Sequence, residues 1–274
     1  MSDSGPRTDG SRFRLALAAV VALVALIPIV IGVLLTSGGS QAAAVTTAAS
    51  HFTPVPAALP AKGSPAHAKA GPSAPPGPGA LVALVRHSTT MRSSPAGRPV
   101  ARLTTRTGFG SPQAVWVVRR SGDWLGVVST LAGNGHVGWI LQSATSLSRV
   151  SWELRVSLSA RRLTVIDAGR AVERYTVAVG RPTAPTPTGR FAVTDRLATG
   201  DPTGPYGCCI LALSAMAPHA IQGWDGGNRI AIHSTPETSS IGEPVSHGCM
   251  RLTLAEGKWL LEHIPLGTPT LISA

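Results

Sequence analysis

The chain is poor in cysteine and in charge. Three cysteines among 274 residues cannot make a disulfide framework. No Cys-x-x-Cys spacing is present, which excludes a structural zinc ribbon. Charged residues are 14% of the chain, against roughly a quarter in ordinary soluble domains. Acidic residues are the scarcer sign, 13 against 24 Lys and Arg, so the net charge is +11. Glycine (30) and proline (23) are abundant instead, which excludes an all-helical or coiled-coil protein because both break helices. Apolar residues at 43% are enough for a real core, and the length fits one large domain or two small ones.

The positive charge concentrates in residues 80–142, which hold seven Arg and one Asp. A basic segment suits a polyanionic partner: nucleic acid, a membrane surface or an anionic cell-wall polymer. The plain alternative is solubility in an arginine-rich composition. Leu15–Leu35 is a run of 21 residues without a charge, enough for about 30 Å of helix, one bilayer core. Arg7, Arg12 and Arg14 precede it and no basic residue follows until Lys62. The expectation is a cytoplasmic N-terminus (1–14), a single-pass anchor in the cytoplasmic membrane (15–35) and everything else outside. A cleaved signal peptide ending near Ala42-Ala43-Ala44 and a buried soluble helix are the rivals. Either membrane reading weakens nucleic acid as a partner, and none is expected. Residues 36–79 are 12 Ala, 8 Pro, 6 Gly, 5 Ser and 4 Thr out of 44, a composition expected to stay a disordered, extended tether.

The remainder is mainly β. In residues 80–142, Ala80–Arg86, Ala114–Arg119, Asp123–Ser129 and His136–Leu141 read as short strands between glycine turns, predicting a small barrel of about five strands. Trp116, Trp124 and Trp139 are expected in its core. From Val150 to Ala274 a second β domain is expected, with a hairpin through Ser159-Ala160, a turn at Asp167–Arg170, and strands at Val172–Val179, Phe191–Thr194, Ile210–Leu213 and Ile230–Ile232. One helix is expected, opened by the capping box Thr253–Glu256 and stopped at Pro265. Thr268–Ile272 can close the sheet.

The densest chemistry is His233-Ser234 and, with fifteen residues between it and His233, Cys249 within Ser246-His247-Gly248-Cys249-Met250-Arg251. A thiol nucleophile needs a base and donors for a developing oxyanion, and this segment can supply all three. His233 is placed at a strand end and Cys249 in a glycine-containing turn before the capped helix. The adjacent Cys208 and Cys209 are assigned to core packing, not to a bond with each other or with Cys249.

These segments resemble the signature of the YkuD-family L,D-transpeptidases. Thr186-Pro187-Thr188-Gly189-Arg190-Phe191 resembles that family's T-P-x-G-x-F segment, and Gly267-Thr268-Pro269 its terminal strand, so the likeness runs from about Ser151 to Ser273. Residues 80–142, with Trp124-Leu125-Gly126-Val127 and Gly138-Trp139-Ile140, resemble bacterial SH3-like domains. The resemblance implies a β-sandwich-like catalytic domain with one short helix after the cysteine, working on peptidoglycan stem peptides with no cofactor and no metal. It implies Cys249 as nucleophile and His233 as base and then acid, with the backbone at Ser234 fixing the tautomer. His247, Gly248 and the Cys249 N–H would shape the oxyanion hole, Ser246 would support the loop, and Arg251 would brace the loop or meet a substrate carboxylate. A thiolate–imidazolium pair with a low thiol pKa is expected. An L,D-carboxypeptidase, a non-catalytic wall-binding protein, another surface thiol enzyme and a His–Cys zinc site are the competing classes. Residues 80–142 are expected to bind wall polymer or act as a spacer, with a shared active-site wall left open.

Overall fold

The computed structural model describes residues 53–54, 77–218 and 228–274. The expected span Leu15–Leu35 and nearly all of the expected tether lie outside the described residues; among those described, no helix is long and apolar enough to cross a membrane. A two-residue strand, β1 (Thr53–Pro54), comes first. Then come β2 (Ala80–Val85), β3 (Thr89–Arg92), β4 (Pro99–Leu103), β5 (Ala114–Ser121), β6 (Trp124–Val128), β7 (Gly138–Leu141) and β8 (Thr145–Val150). These seven pair antiparallel in the order β4-β3-β7-β6-β5-β2-β8. The sheet runs past the expected end at Gln142, because β8 pairs with β2 from Ala80↔Val150 to Val85↔Thr145. The core of this sheet is Met91, Leu103, Leu125, Val127 and Ile140, all fully buried. A side chain at Gly138 would meet the Met91 sulfur at 2.3 Å, so the glycine of Gly138-Trp139-Ile140 makes room for Met91.

The three tryptophans correct the expectation: Trp116, Trp124 and Trp139 are half-buried, not core. Aliphatic side chains and Met91 fill this small interior, and the indole rings lie at its edge. The Arg92 guanidinium lies over Trp124 and that of Arg190 over Trp116, each about 6 Å from the ring centre.

The second half contains β9 (Trp152–Ser157), β10 (Arg162–Asp167), β11 (Arg170–Thr176), β12 (Val179–Gly180), β13 (Gly189–Ala198), β14 (Cys209–Met216), β15 (Arg229–Ser234), β16 (Pro244–Ser246), β17 (Met250–Leu252) and β18 (Pro269–Ser273). The large sheet has the order β11-β10-β9-β18-β13-β14-β15-β17, with β1 added against β13. The described chain is mainly β, and α1 (Leu254–His263) is the one α-helix among the described residues. Its capping box forms as expected: Thr253 Oγ1 accepts from the Glu256 N–H, and Glu256 Oε2 accepts from the Thr253 N–H at 2.8 Å. The β10–β11 turn uses positive φ at Ala168 and Gly169. α1 buries Leu260 and Leu261 against β13, β14 and β15.

β13 is longer than the sequence pattern suggests. Its first half pairs with β18 and its second half with β14, with a register shift between Val193 and Asp195. Such irregularities re-aim a strand. Here β13 joins the two halves of the sheet.

The two β segments share one interior. Val82, Ala114 and Val150 belong to the same apolar cluster as Leu154, Phe191, Val193 and Leu266. Asn134 brackets Met216 at the end of β14, donating to its carbonyl at 2.7 Å and accepting from its N–H at 2.9 Å. Gly267 marks the tightest approach. Its φ is +81°, and a side chain there would meet Val82 Cγ1 at 2.4 Å.

Gly267→Ala is therefore expected to cost about 1–3 kcal/mol, through left-handed strain and overpacking. Thermal melting should show a fall of roughly 2–4 °C per kcal/mol. Adding Val82→Ala should recover part of the loss, by removing the clash but not the strain. A second substitution with no effect in that background would place the cost wholly in the backbone.

Candidate active site

β15 and β17 lie side by side and parallel, with Ile232↔Met250, His233↔Arg251 and Ser234↔Leu252 in register. His233 is the penultimate residue of β15, near the strand end as expected. Cys249 immediately precedes β17, so a short strand stands between it and the helix where the sequence reading places only a turn. This pairing brings the expected histidine and cysteine into one interior. His233 is 3% and Cys249 6% exposed.

The His233 ring has a fixed orientation. Its Nδ1 lies 2.8 Å from the Ser234 carbonyl oxygen. A carbonyl accepts only, so Nδ1 carries the proton and Nε2 keeps its lone pair. The Tyr206 ring meets the imidazole edge to face, with centres 5.1 Å apart. The Ser234 side chain was not part of the expected machinery, yet it organises the loop that brings Tyr206 there. Its Oγ accepts the Cys209 N–H at 3.1 Å and donates towards the Tyr206 carbonyl at 3.3 Å. A side chain at Gly207 would meet Ser234 Oγ at 2.5 Å, so the loop lies directly on that strand.

Cys208 and Cys209 depart from the expectation. They are bonded to each other as neighbouring residues, while Cys249 is free and buried. Cys209 is in the core as expected, but Cys208 turns back to lie 3.4 Å from Ser234 Oγ.

The loop before Cys249 is held from three sides. Ser246 Oγ donates to the Cys249 carbonyl at 2.6 Å and accepts the Gly248 N–H at 3.0 Å. The Gly248 N–H is thereby engaged within the loop itself. Gly248 has φ +115°, and a side chain on it would meet Ile230 Cδ1 at 2.8 Å. Thr186 Oγ1 donates to the Gly248 carbonyl at 2.8 Å and accepts the Gly180 N–H at 2.9 Å. This gives the T-P-x-G segment its place: it clamps the loop that presents the thiol. β12 reinforces the clamp by pairing with β16. His247 is exposed, at the rim. Arg251 reaches Glu237 at 3.7 Å, and its Nε is buried with no hydrogen-bond partner among the described residues.

Burial sets the electrostatics. The Cys249 thiol is pushed up to about 12 by desolvation, against a backbone hydrogen bond from Ala231 and the charge of Arg251, which act the other way. His233 is pushed down to about 4 by desolvation, with Arg251 adding to the fall and the Ser234 hydrogen bond opposing it. Both shifts favour the neutral thiol and the neutral imidazole, and so run against the expected thiolate–imidazolium pair, because a dry interior disfavours both charged forms. The site thus combines a buried free thiol on a braced loop with a buried imidazole of fixed orientation, carried by adjacent parallel strands.

The sequence profile of the L,D-transpeptidase catalytic domain, YkuD, matches residues 151–272. YkuD of Bacillus licheniformis is 32% identical over 124 residues, covering 45% of this chain and 67% of its own length. YkuD of Bacillus subtilis strain 168 has the same identity and coverage. Both relatives are assigned to the L,D-transpeptidases by name only. This chain belongs to the YkuD L,D-transpeptidase family. Among solved structures, an L,D-transpeptidase from Mycobacterium smegmatis aligns at 19% identity and TM-score 0.36, over 59% of this chain and 90% of that one. L,D-transpeptidase 3 from Mycobacterium tuberculosis with a faropenem-derived adduct aligns at 21% and 0.36, over 50% and 73%.

Three outcomes follow from the site. With the thiol near 12, alkylation of Cys249 by iodoacetamide should rise about tenfold per pH unit from pH 6 to 9 without a plateau; a plateau below pH 8 would restore the ion pair. On the acid side, His233 in the unfolded chain takes up its proton near 6.5 and in the fold near 4. The unfolded state binds the extra proton in that window, so stability falls as pH drops through it. His233→Gln should flatten this part of the curve in denaturant titrations. Thr186→Val should leave Gly180 N–H and Gly248 C=O unpaired, at about 1–3 kcal/mol. Its turnover should fall while Cys249 remains the alkylated residue by mass spectrometry.

Proposed function

We propose that this chain is an acyl transferase of the cell wall that links the third residues of neighbouring peptidoglycan stem peptides. Cys249 attacks the carbonyl of the third residue of a donor stem, and the fourth residue, D-alanine, departs. The acyl-cysteine passes to the side-chain amine of a third residue on a second stem. The observation that carries this reading is the orientation of His233. Its Nδ1–H is spent on Ser234, which leaves Nε2 free to act as a base, and the free, buried Cys249 immediately precedes the strand paired with that of His233.

Because both groups rest neutral, the proton moves from sulfur to Nε2 as the attack proceeds, not before it. The imidazolium so formed returns the proton to the departing amine. With the Gly248 N–H engaged by Ser246, the Cys249 N–H is the donor assigned to the oxyanion, worth about 3 kcal/mol in comparable enzymes. The buried Arg251 Nε is assigned to a carboxylate of the stem. Water as acceptor would make the same site an L,D-carboxypeptidase. A purely wall-binding role does not account for an oriented base beside a free thiol.

The rest of the chain fits this setting. Leu15–Leu35 is read as the anchor, residues 36–79 as the tether, and the catalytic part as facing the wall. The first β segment is read as SH3-like. Six of its seven arginines between residues 80 and 142 are exposed, which suits anionic wall polymers.

Incubation of the full chain with a disaccharide-tetrapeptide, read by mass spectrometry, tests the reading. A dimer lacking one D-alanine is expected, with a transient acyl adduct on Cys249. Cys249→Ala should abolish both, and Cys208→Ala should not. A tripeptide alone would assign the carboxypeptidase, and product from Cys249→Ala would remove the thiol mechanism.

A further inference from the structure

The apolar group around the thiol is not built by one domain. Cys249 clusters with Leu197, Ile210 and Ala231, and the two side chains packed against this cluster are Tyr206 and Phe109. Phe109 comes from the loop between β4 and β5, about 140 residues away in sequence.

That loop is braced at both ends of its reach. Internally, the Thr107 N–H donates to the Ser111 carbonyl at 2.9 Å, and the Gly110 N–H to the Thr107 carbonyl at 3.0 Å. Across the domain boundary, Thr107 Oγ1 donates to Asp195 Oδ1. Asp195 is completely buried, and its other oxygen faces Arg229 Nη2 at 3.4 Å. The same Arg229 guanidinium lies over the Phe109 ring, 5.9 Å from its centre. Phe109 is thus held on β13 and β15 by a hydroxyl, a carboxylate and a cation, beside the strand positions that surround the thiol. The linker strand covers the same region: Thr53 and Pro54 pair with Ala198 and Leu197, and a side chain at Gly110 would meet Pro54 Cγ at 3.7 Å.

We propose that Phe109 is a specificity-determining residue of the acyl-donor site, with the first β domain supplying the wall that limits the side chain of the departing fourth residue to a small, apolar group. This rests on Cys249 as the nucleophile. The side chains of Leu197, Ile210, Ala231, Tyr206 and Phe109 offer no charge to a polar group in that position. Cys249 is only 6% exposed, so a group that reaches its sulfur passes close to these side chains. A methyl group fits such surroundings, whereas a charged or bulky side chain would be desolvated or excluded.

The full chain carrying Phe109→Ala, Phe109→Leu or no substitution separates the possibilities. The first readout is alkylation of Cys249 at fixed pH by iodoacetamide and by a bulkier maleimide. The second is the ratio of kcat/KM for tetrapeptides ending in D-alanine and in D-leucine. Phe109→Ala is expected to speed maleimide labelling on the order of tenfold, more than iodoacetamide labelling. It should move the substrate ratio towards D-leucine by a similar factor, with Phe109→Leu between. Unchanged labelling and an unchanged ratio at an unchanged melting temperature would overturn the proposal and leave Phe109 as interface packing. If Phe109→Ala does not fold, Phe109→Leu and Phe109→Trp are read in the same way, the latter slowing the maleimide. The labelling arm needs no turnover, so failure of the transferase reading appears separately, as absence of any acyl adduct in the unsubstituted chain.

Discussion

Everything near Cys249 follows from keeping a thiol and an imidazole together out of water. In a dry interior neither ion is favourable, so the pair rests neutral and its reactivity depends on position more than on charge. Position in turn depends on hydrogen bonds that leave no rotational freedom. The Ser234 carbonyl fixes the ring, Ser246 fixes the carbonyl of Cys249, and Thr186 fixes the carbonyl of Gly248. Each is itself buried, so each bond also removes the cost of an unpaired polar group. The three hydroxyl and carbonyl partners come from different stretches of chain, which is why a sheet, not a local loop, is needed to assemble them.

The parts of this architecture that were legible in the sequence are those whose cause is local. The Thr253–Glu256 box announces α1 because both of its hydrogen bonds lie within one turn. The turn at Ala168-Gly169 announces itself by its residue types. His233 and Cys249 stand out because thiol chemistry uses few residue types in few spacings. What was hidden depends on distant partners. β13 continues through Thr194, Asp195 and Arg196, which read as the end of an apolar run. Their partners are the Ala212 carbonyl, Thr107 with Arg229, and the Leu261 carbonyl, none of them visible from the strand itself. The burial that works against the low thiol pKa expected from the motif was hidden for the same reason, since burial is a property of the assembled fold.

Phe109 and Tyr206 had no signal of either kind. Phe109 sits in a glycine-flanked loop of a segment read as a separate module, and Tyr206 in the turn Gly204–Gly207 that precedes the bonded cysteines. Each acquires its role only when two loops close over the same strands. The tryptophans of the first segment show the reverse error. Large aromatics are reasonable core residues on size alone, but this sheet is narrow enough for Met91, Leu103, Leu125 and Ile140 to fill it. The rings are left at the edge, where two of them carry arginines.

The buried carboxylate of Asp195 explains why the two β domains are docked as they are. A charge without solvent is costly unless paired, and apolar residues of the same volume would often stabilise as well. What apolar residues cannot supply is direction. Asp195 accepts from Thr107 of the first domain and faces Arg229 of the second, so only one register of the two satisfies both of its oxygens. Leu197, two residues further along β13, belongs to the cluster that contains Cys249. A slip of the first domain would take the Thr107 hydroxyl from Asp195, leaving Arg229 alone to face a fully buried carboxylate, and would shift Phe109 at the same time. The alignment of the domains and the shape of the space around the thiol are thus set by one short stretch of β13.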